Sequence, residues 1–209
     1  AAIKNGSYGK LMKAYYAKQD AEKLSGKGDT SQKLTLMKTS ADSLKKSADA
    51  LNDSSLWEKK KIKKKDEKTG EEIKVEDYDW DKITKAVKSF VEDYNDVVKE
   101  AGESNTKDVL RNASWMTGMT DKNSNMLAKI GITIGKGNKL ELDEDALKQA
   151  DISSLKTIFT GYNSFVSKIS QKATGISNAA NRASATYTNN GTYSKMDSYL
   201  TSSKIDKEV

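Results

Sequence analysis

Lysine is the residue type in this chain best placed to act on another molecule. Lys59, Lys60, Lys61, Lys63, Lys64 and Lys65 crowd into one short stretch. A cationic run of this density can hold an anionic glycan or a nucleic acid through its charge. Only Trp57 interleaves the lysines and no motif of a nucleic-acid-binding module accompanies them, so nucleic acid is not an expected partner. Beyond the Gly70 turn the chain becomes partly acidic at Glu71, Glu72 and Glu76. A solvated β-hairpin with opposite charges across its strands accounts for the same residues. Lys59, Lys61, Lys63 and Lys65 are the candidates for contact with an anionic polymer.

Metal and phosphate chemistry find less support. Asp121-Lys122-Asn123-Ser124-Asn125 opens like an EF-hand loop, but such a loop needs glycine at its sixth position and glutamate at its twelfth. Met126 and Ile132 stand there, and the calcium reading fails. Gly135-Lys136-Gly137-Asn138 misses the spacing of a phosphate-binding loop and reads as a hairpin turn. Asp143, Glu144 and Asp145 open a helix, where carboxylates favour the dipole. Histidine and cysteine are both absent. With them go the usual neutral-pH base, the thiol nucleophile and zinc-thiolate sites. No catalytic residue, metal or cofactor is expected, and the chain does not read as an enzyme. Tyrosine is the remaining candidate. Tyr8, Tyr15 and Tyr16 near the start, with Leu11, and Tyr187, Tyr193 and Tyr199 near the end offer apolar area with a polar tip, suited to an interface that is wet before assembly. Packing of the N-terminal tyrosines on their own bundle is the alternative.

The elements that would carry these residues are helices. From Asp79 to Ala101 the apolar positions Trp80, Ile83, Val87, Phe90, Tyr94, Val97 and Ala101 recur in steps of 3 and 4. That spacing makes one stripe on a rod about 35 Å long. Asp77 and Asp79 favour its start and Gly102 its stop. Leu34, Met37, Ala41, Leu44, Ala48 and Leu51 form a second seam; Tyr162, Val166, Ile169, Ala173, Ile176, Ala180, Ala183 and Tyr187 form a third. Three seams of one period predict a mainly α fold: an elongated antiparallel, coiled-coil-like helical bundle with two small β-hairpins. The large residues of the Trp80 stripe are expected to face the alanine-rich half of the third seam.

Composition agrees with a thin bundle. The 209 residues are 35% hydrophobic and 32% charged, with no proline to break a rod. The formal charge of +6 and pI near 9.1 permit contact with acidic surfaces without requiring it. No apolar run is long enough to span a bilayer, and no secretory signal is visible. The first residue is Ala1 rather than methionine, which leaves room for a trimmed N-terminus and a lost targeting signal.

In chain order the expected organisation is N-terminal bundle helices over 1–56, including a helix from Ser7 to Leu24, and a projecting charged hairpin over 57–78. Bundle helices with a second hairpin at 130–142 occupy 79–188, and a polar tail runs over 189–209. Val109, Leu110, Ala113, Met116, Met119, Met126 and Leu127 give the stretch from Asn105 to Leu127 helical spacing. Its Met-rich, Trp115-containing face is read as adaptable core packing in preference to a promiscuous groove.

Four motifs stand in a particular order. They are Phe90-Val91-Glu92-Asp93-Tyr94-Asn95, Leu127-Ala128-Lys129-Ile130-Gly131-Ile132-Thr133, Leu140-Glu141-Leu142-Asp143-Glu144-Asp145-Ala146-Leu147, and Phe159-Thr160-Gly161. Together they resemble the C-terminal part of the flagellar filament-capping protein, hook-associated protein 2, over Trp80 to Gly161. The Leu34 to Leu51 seam resembles that family's N-terminal coiled-coil helix. The family carries bulky head domains where this chain has only Trp57 to Val75, and its leg-forming terminal segments look curtailed here. The resemblance implies a non-enzymatic structural component of the bacterial surface. Its partners would be like subunits, flagellin or hook-associated proteins, with an oligomer expected for the full-length protein. It also implies export to the flagellum without a cleaved signal. The alternative function is a secreted module that uses the lysine hairpin on an anionic glycan or nucleic acid.

Overall fold

The computed structural model describes residues 28–65, Gly70 and 72–186. The expected Ser7 to Leu24 helix, the tail 189–209 and the candidates Tyr8, Tyr15, Tyr16, Tyr187, Tyr193 and Tyr199 lie outside the described residues. The protein is mainly α, with two small antiparallel hairpins.

Helix α1 (Ser31–Asn52) starts where the Thr30 hydroxyl accepts from the Lys33 amide at 3.3 Å. Its Leu34, Met37, Ala41, Leu44, Ala48 and Leu51 are all buried. The chain then makes a 3-10 turn, Ser54–Trp57, capped by Asp53. Trp57 donates its indole N–H to the Leu51 carbonyl at 2.8 Å, satisfying a group that the end of α1 leaves free. Strands β1 (Lys60–Lys65) and β2 (Glu72–Asp77) form the first hairpin, with Lys60 opposite Asp77, Lys61 opposite Glu76 and Lys65 opposite Glu72. Helix α2 (Trp80–Gly102) is capped by Asp79 and buries Ile83, Val87, Phe90, Tyr94 and Val97.

The Asn105 to Leu127 stretch divides at Asn123 into α3 (Lys107–Lys122) and α4 (Ser124–Ala128). Strands β3 (Ile132–Ile134) and β4 (Leu140–Leu142) pair around a turn with positive φ at Gly137 and Asn138. Helices α5 (Glu144–Gln149) and α6 (Ile152–Phe159) are each opened by an aspartate, Asp143 and Asp151, whose side chain accepts backbone N–H groups. Helix α7 (Phe165–Thr186) completes the bundle and buries Val166, Ile169, Ala173, Ile176 and Ala180.

Helices α1, α2, α3 and α7 stand as four neighbours in a ring, α1 beside α2, α2 beside α3, α3 beside α7 and α7 beside α1. The closest pairing is α1 with α7, not α2 with α7. Small buried residues on both helices, Ala41 and Ala48 of α1 and Ala173 and Ala180 of α7, let these backbones approach. Asp42 and Asp49 of α1 accept from Ser177 and Ser170 of α7 at 2.6 and 2.7 Å. The large side chains of α2 instead fill the middle. Phe90 meets the rings of Phe159 and Phe165 edge-on at 6.5 and 6.3 Å, and Trp57 stacks on Phe159 at 5.5 Å.

Four expectations need correction. Tyr162 is 83% exposed, because the chain is still turning through Gly161 (φ +96°) and α7 begins only at Phe165. Trp57, counted with the projecting hairpin, is 1% exposed and belongs to the core. Trp115, expected to pack in the core, is 62% exposed. Trp80 is half-buried rather than central, since the first residue of α2 lies at the end of the bundle.

Candidate functional site

Chain direction locates the surfaces on which this fold can act. Asp42 lies level with Ser177 and Asp49 with Ser170, so α1 and α7 run antiparallel and the start of α1 lies beside the end of α7. Residues 1–27 and 187–209 therefore attach at one end of the bundle. The β1–β2 hairpin attaches at the other, where the Asn52 side chain accepts from the Gly161 amide at 2.8 Å.

At the end with the termini, Asp29 is a clamp. Its carboxylate accepts from the Ser104 hydroxyl at 2.6 Å, the Asn105 amide at 2.8 Å, the Thr106 amide at 2.9 Å and the Thr106 hydroxyl at 2.7 Å. Lys33 Nζ stands 3.5 Å away and also donates to the Glu103 carbonyl. Burial would raise the Asp29 pKa, but the hydrogen bonds from Ser104, Asn105 and Thr106 and the charge of Lys33 outweigh it and hold the carboxyl below its usual range. Asp29 thus supplies the N-cap that α3 lacks from its own Thr106, across 77 residues. Sequence reading missed it because a cap is sought beside the helix it serves.

At the hairpin end, Lys59, Lys61 and Lys63 are exposed, and Lys65 holds the strand position opposite Glu72. Lys63 pairs with Glu72 at 2.9 Å. Lys59 and Lys156 place their ammonium groups 5.7 and 6.0 Å from the centre of the Tyr78 ring. The acids of β2 and the Tyr78 ring thus take up part of the cationic charge of this ribbon.

A cleft of about 380 Å³ opens between α2, α3, α4 and the β3–β4 hairpin. Three of its hydroxyls are engaged internally. Tyr94 donates to Thr120 at 2.9 Å, Thr120 to the Met116 carbonyl and Thr117 to the Ala113 carbonyl. Burial pushes the Tyr94 pKa upward, so the phenol stays neutral. Asp121 is the one carboxylate on the lining, which leaves no acid–base pair to do chemistry there. No group of acids that could hold a metal ion occurs among the described residues, and no described helix is long and apolar enough to cross a membrane.

Comparison with protein families matches residues 104–208, half of the chain, to the flagellar hook-associated protein 2 C-terminus. The chain belongs to this flagellar hook-associated protein 2 family. No curated protein and no solved structure matches it. The match begins after the Phe90 motif and includes the three later motifs on which the resemblance rested.

In this family member the motif residues make the scaffold. The Asn95 side chain accepts from the Leu140 amide at 2.7 Å and donates to its carbonyl at 2.9 Å, docking β4 on α2 as a partner strand would. Gly131 adopts φ +80°, and a Cβ there would stand 2.6 Å from the Asp143 carbonyl oxygen and 2.9 Å from the Leu147 nitrogen. Asp143 then caps α5 and Leu147 closes the core beneath it. Asn95, Gly131 and Asp143 thus hold the hairpin and the helix that follows it against the bundle.

Proposed function

We propose that this protein is a non-enzymatic structural subunit of the bacterial flagellum, of the filament-cap or hook-associated type. The observation that carries the reading is the family match over residues 104–208. The polarity of the bundle supports it. Both terminal segments, with their six candidate tyrosines, attach at one end, and the ribbon that stands where relatives carry head domains attaches at the other. In this reading the subunit works by helix packing against like subunits or flagellin. It is exported without a cleaved signal and acts outside the cell.

The test is location and attachment. An epitope-tagged full-length protein, with any residues that precede Ala1, is expected in sheared flagellar preparations and to co-sediment with filaments. Changing Tyr8, Tyr15 and Tyr16 to serine should weaken that attachment while the helical circular dichroism persists. A protein retained in the cell and monomeric in every fraction refutes the reading. The anionic-polymer alternative has less behind it, because Lys63 is paired with Glu72 and the β2 acids stand opposite Lys60, Lys61 and Lys65. Salt-sensitive retention of the purified protein on heparin would favour it.

A further inference from the structure

Trp115 is the largest apolar side chain that α3 turns outward, 62% exposed on the α3–α7 side of the bundle. The Lys172 ammonium of α7 lies 4.6 Å from the centre of its ring system. Arg111, Lys168 and Arg182 are exposed on the same two helices, and Asp108 answers only the two arginines, at 2.9 and 3.6 Å. The result is an aromatic ridge in a cationic surround. Aromatic and cationic side chains together are the chemistry on which interface hot spots are built.

The opposite side of the four-helix ring, between α1 and α2, has the complementary character. Glu92, Asp93 and Asp96 crowd the middle of α2, and no ion pair reaches them among the described residues. Asp93 is half-buried beside Ser47 of α1. Burial first, and then the charges of Asp96 and Glu92, push its pKa upward. The charge of Lys46 on α1 acts on Asp42, which is bonded to Ser177 of α7. On α1 the residue beside Asp93 is the small, part-buried Ser47, which lets a side chain come close. The two surfaces stand at similar height. Asp93 meets Ser47, and Ser47 lies level with the part of α7 between Ser170 and Ser177 that carries Lys172.

We propose that the Trp115–Lys172 ridge of one copy docks in the acidic α1–α2 groove of a second copy, joining chains head to tail. Two unlike patches on opposite sides make a heterologous contact. With the patches at similar height, successive copies sit side by side with little rise, the geometry of a ring or flat layer rather than a steep helix. The partner, a like subunit, rests on the flagellar structural reading. The test uses purified protein alone, so its failure leaves filament attachment to be judged separately.

Sedimentation velocity on the full chain over a range of concentrations is the experiment. Self-association is expected, weakened by salt. W115A should raise the dissociation constant on the order of tenfold or more. K172E and D96K should each weaken association, and the double variant K172E/D96K should recover it, because the charges are exchanged across the same contact. All these side chains are at least part-exposed, and circular dichroism checks that each variant is folded. If W115A is misfolded, recovery in the double variant decides. Three results overturn the proposal: a monomer at every concentration, W115A associating as tightly as the parent, or association abolished only by removing residues 1–27, which would assign the contact to the terminal segment.

Discussion

Removal of the Asp29 carboxylate should expose how far one residue ahead of α1 holds the far corner of the bundle. Asp29→Ala withdraws the acceptor from two backbone amides and two hydroxyls, and leaves the Lys33 ammonium without its 3.5 Å partner. Loss of an N-cap alone costs up to about 2 kcal/mol. Ser104 is fully buried, and an acceptor removed from a buried donor costs about 1–3 kcal/mol more. Part of this is recovered, because the Ser104 hydroxyl also accepts from the Thr106 amide at 3.0 Å. The net expectation is a loss of about 2–4 kcal/mol at pH 7 in urea melts of the full chain.

The same clamp predicts a pH signature. The folded pKa of Asp29 lies below its unfolded value of 3.8. Its stabilisation is therefore fully present above the unfolded value and is lost as pH falls below it and through the folded value. The gap between parent and Asp29→Ala should be constant from pH 7 to about pH 5 and close below about pH 4. Asp42 and Asp49, also held below 3.8 by hydrogen bonds to α7 serines and to lysines of α1, titrate in both proteins and cancel in the difference. Asp29→Asn, which keeps the shape and one acceptor but not the charge, should fall between the two. A loss at pH 7 of less than about 1 kcal/mol, or a gap unchanged from pH 7 to pH 2.5, refutes the clamp.

Phe90 is fully buried between Phe159, Phe165 and Tyr94, so Phe90→Ala should cost about 3–5 kcal/mol in denaturant melts. Gly131→Ala meets backbone atoms at 2.6 and 2.9 Å in a positive-φ conformation; a loss of at least about 1 kcal/mol is expected, read from the shift in melting temperature. Replacing Lys59 to Glu76 by a short Gly-Ser link should leave the helical circular dichroism intact, because the ribbon is largely exposed and the core contact of this region, Trp57, is retained.

Much of this protein was legible in its sequence because helices report themselves locally. The steps of 3 and 4 along Leu34 to Leu51 and Trp80 to Ala101 follow from 3.6 residues per turn, and a buried stripe must repeat at that period wherever the helix packs. The turns at Gly70 and Gly137 are local for the same reason: a positive φ is a property of one residue. The four ordered motifs carried the family. Which helix meets which was a different matter. Alanine in α7 is compatible with close approach to any neighbour, and only the assembled bundle set α7 against α1, leaving Phe90 and Tyr94 of α2 buried in the core. Tyr162 was misread because it falls at helical spacing, and Trp115 because it was counted with the Met-rich face beside it; a spacing cannot say where a turn through Gly161 ends or which side of α3 is left open to water. Asp29 and Asn95 lay beyond sequence reading altogether. Their partners are 75–77 and 45 positions away, and a hydrogen bond across that distance has no periodicity to announce it.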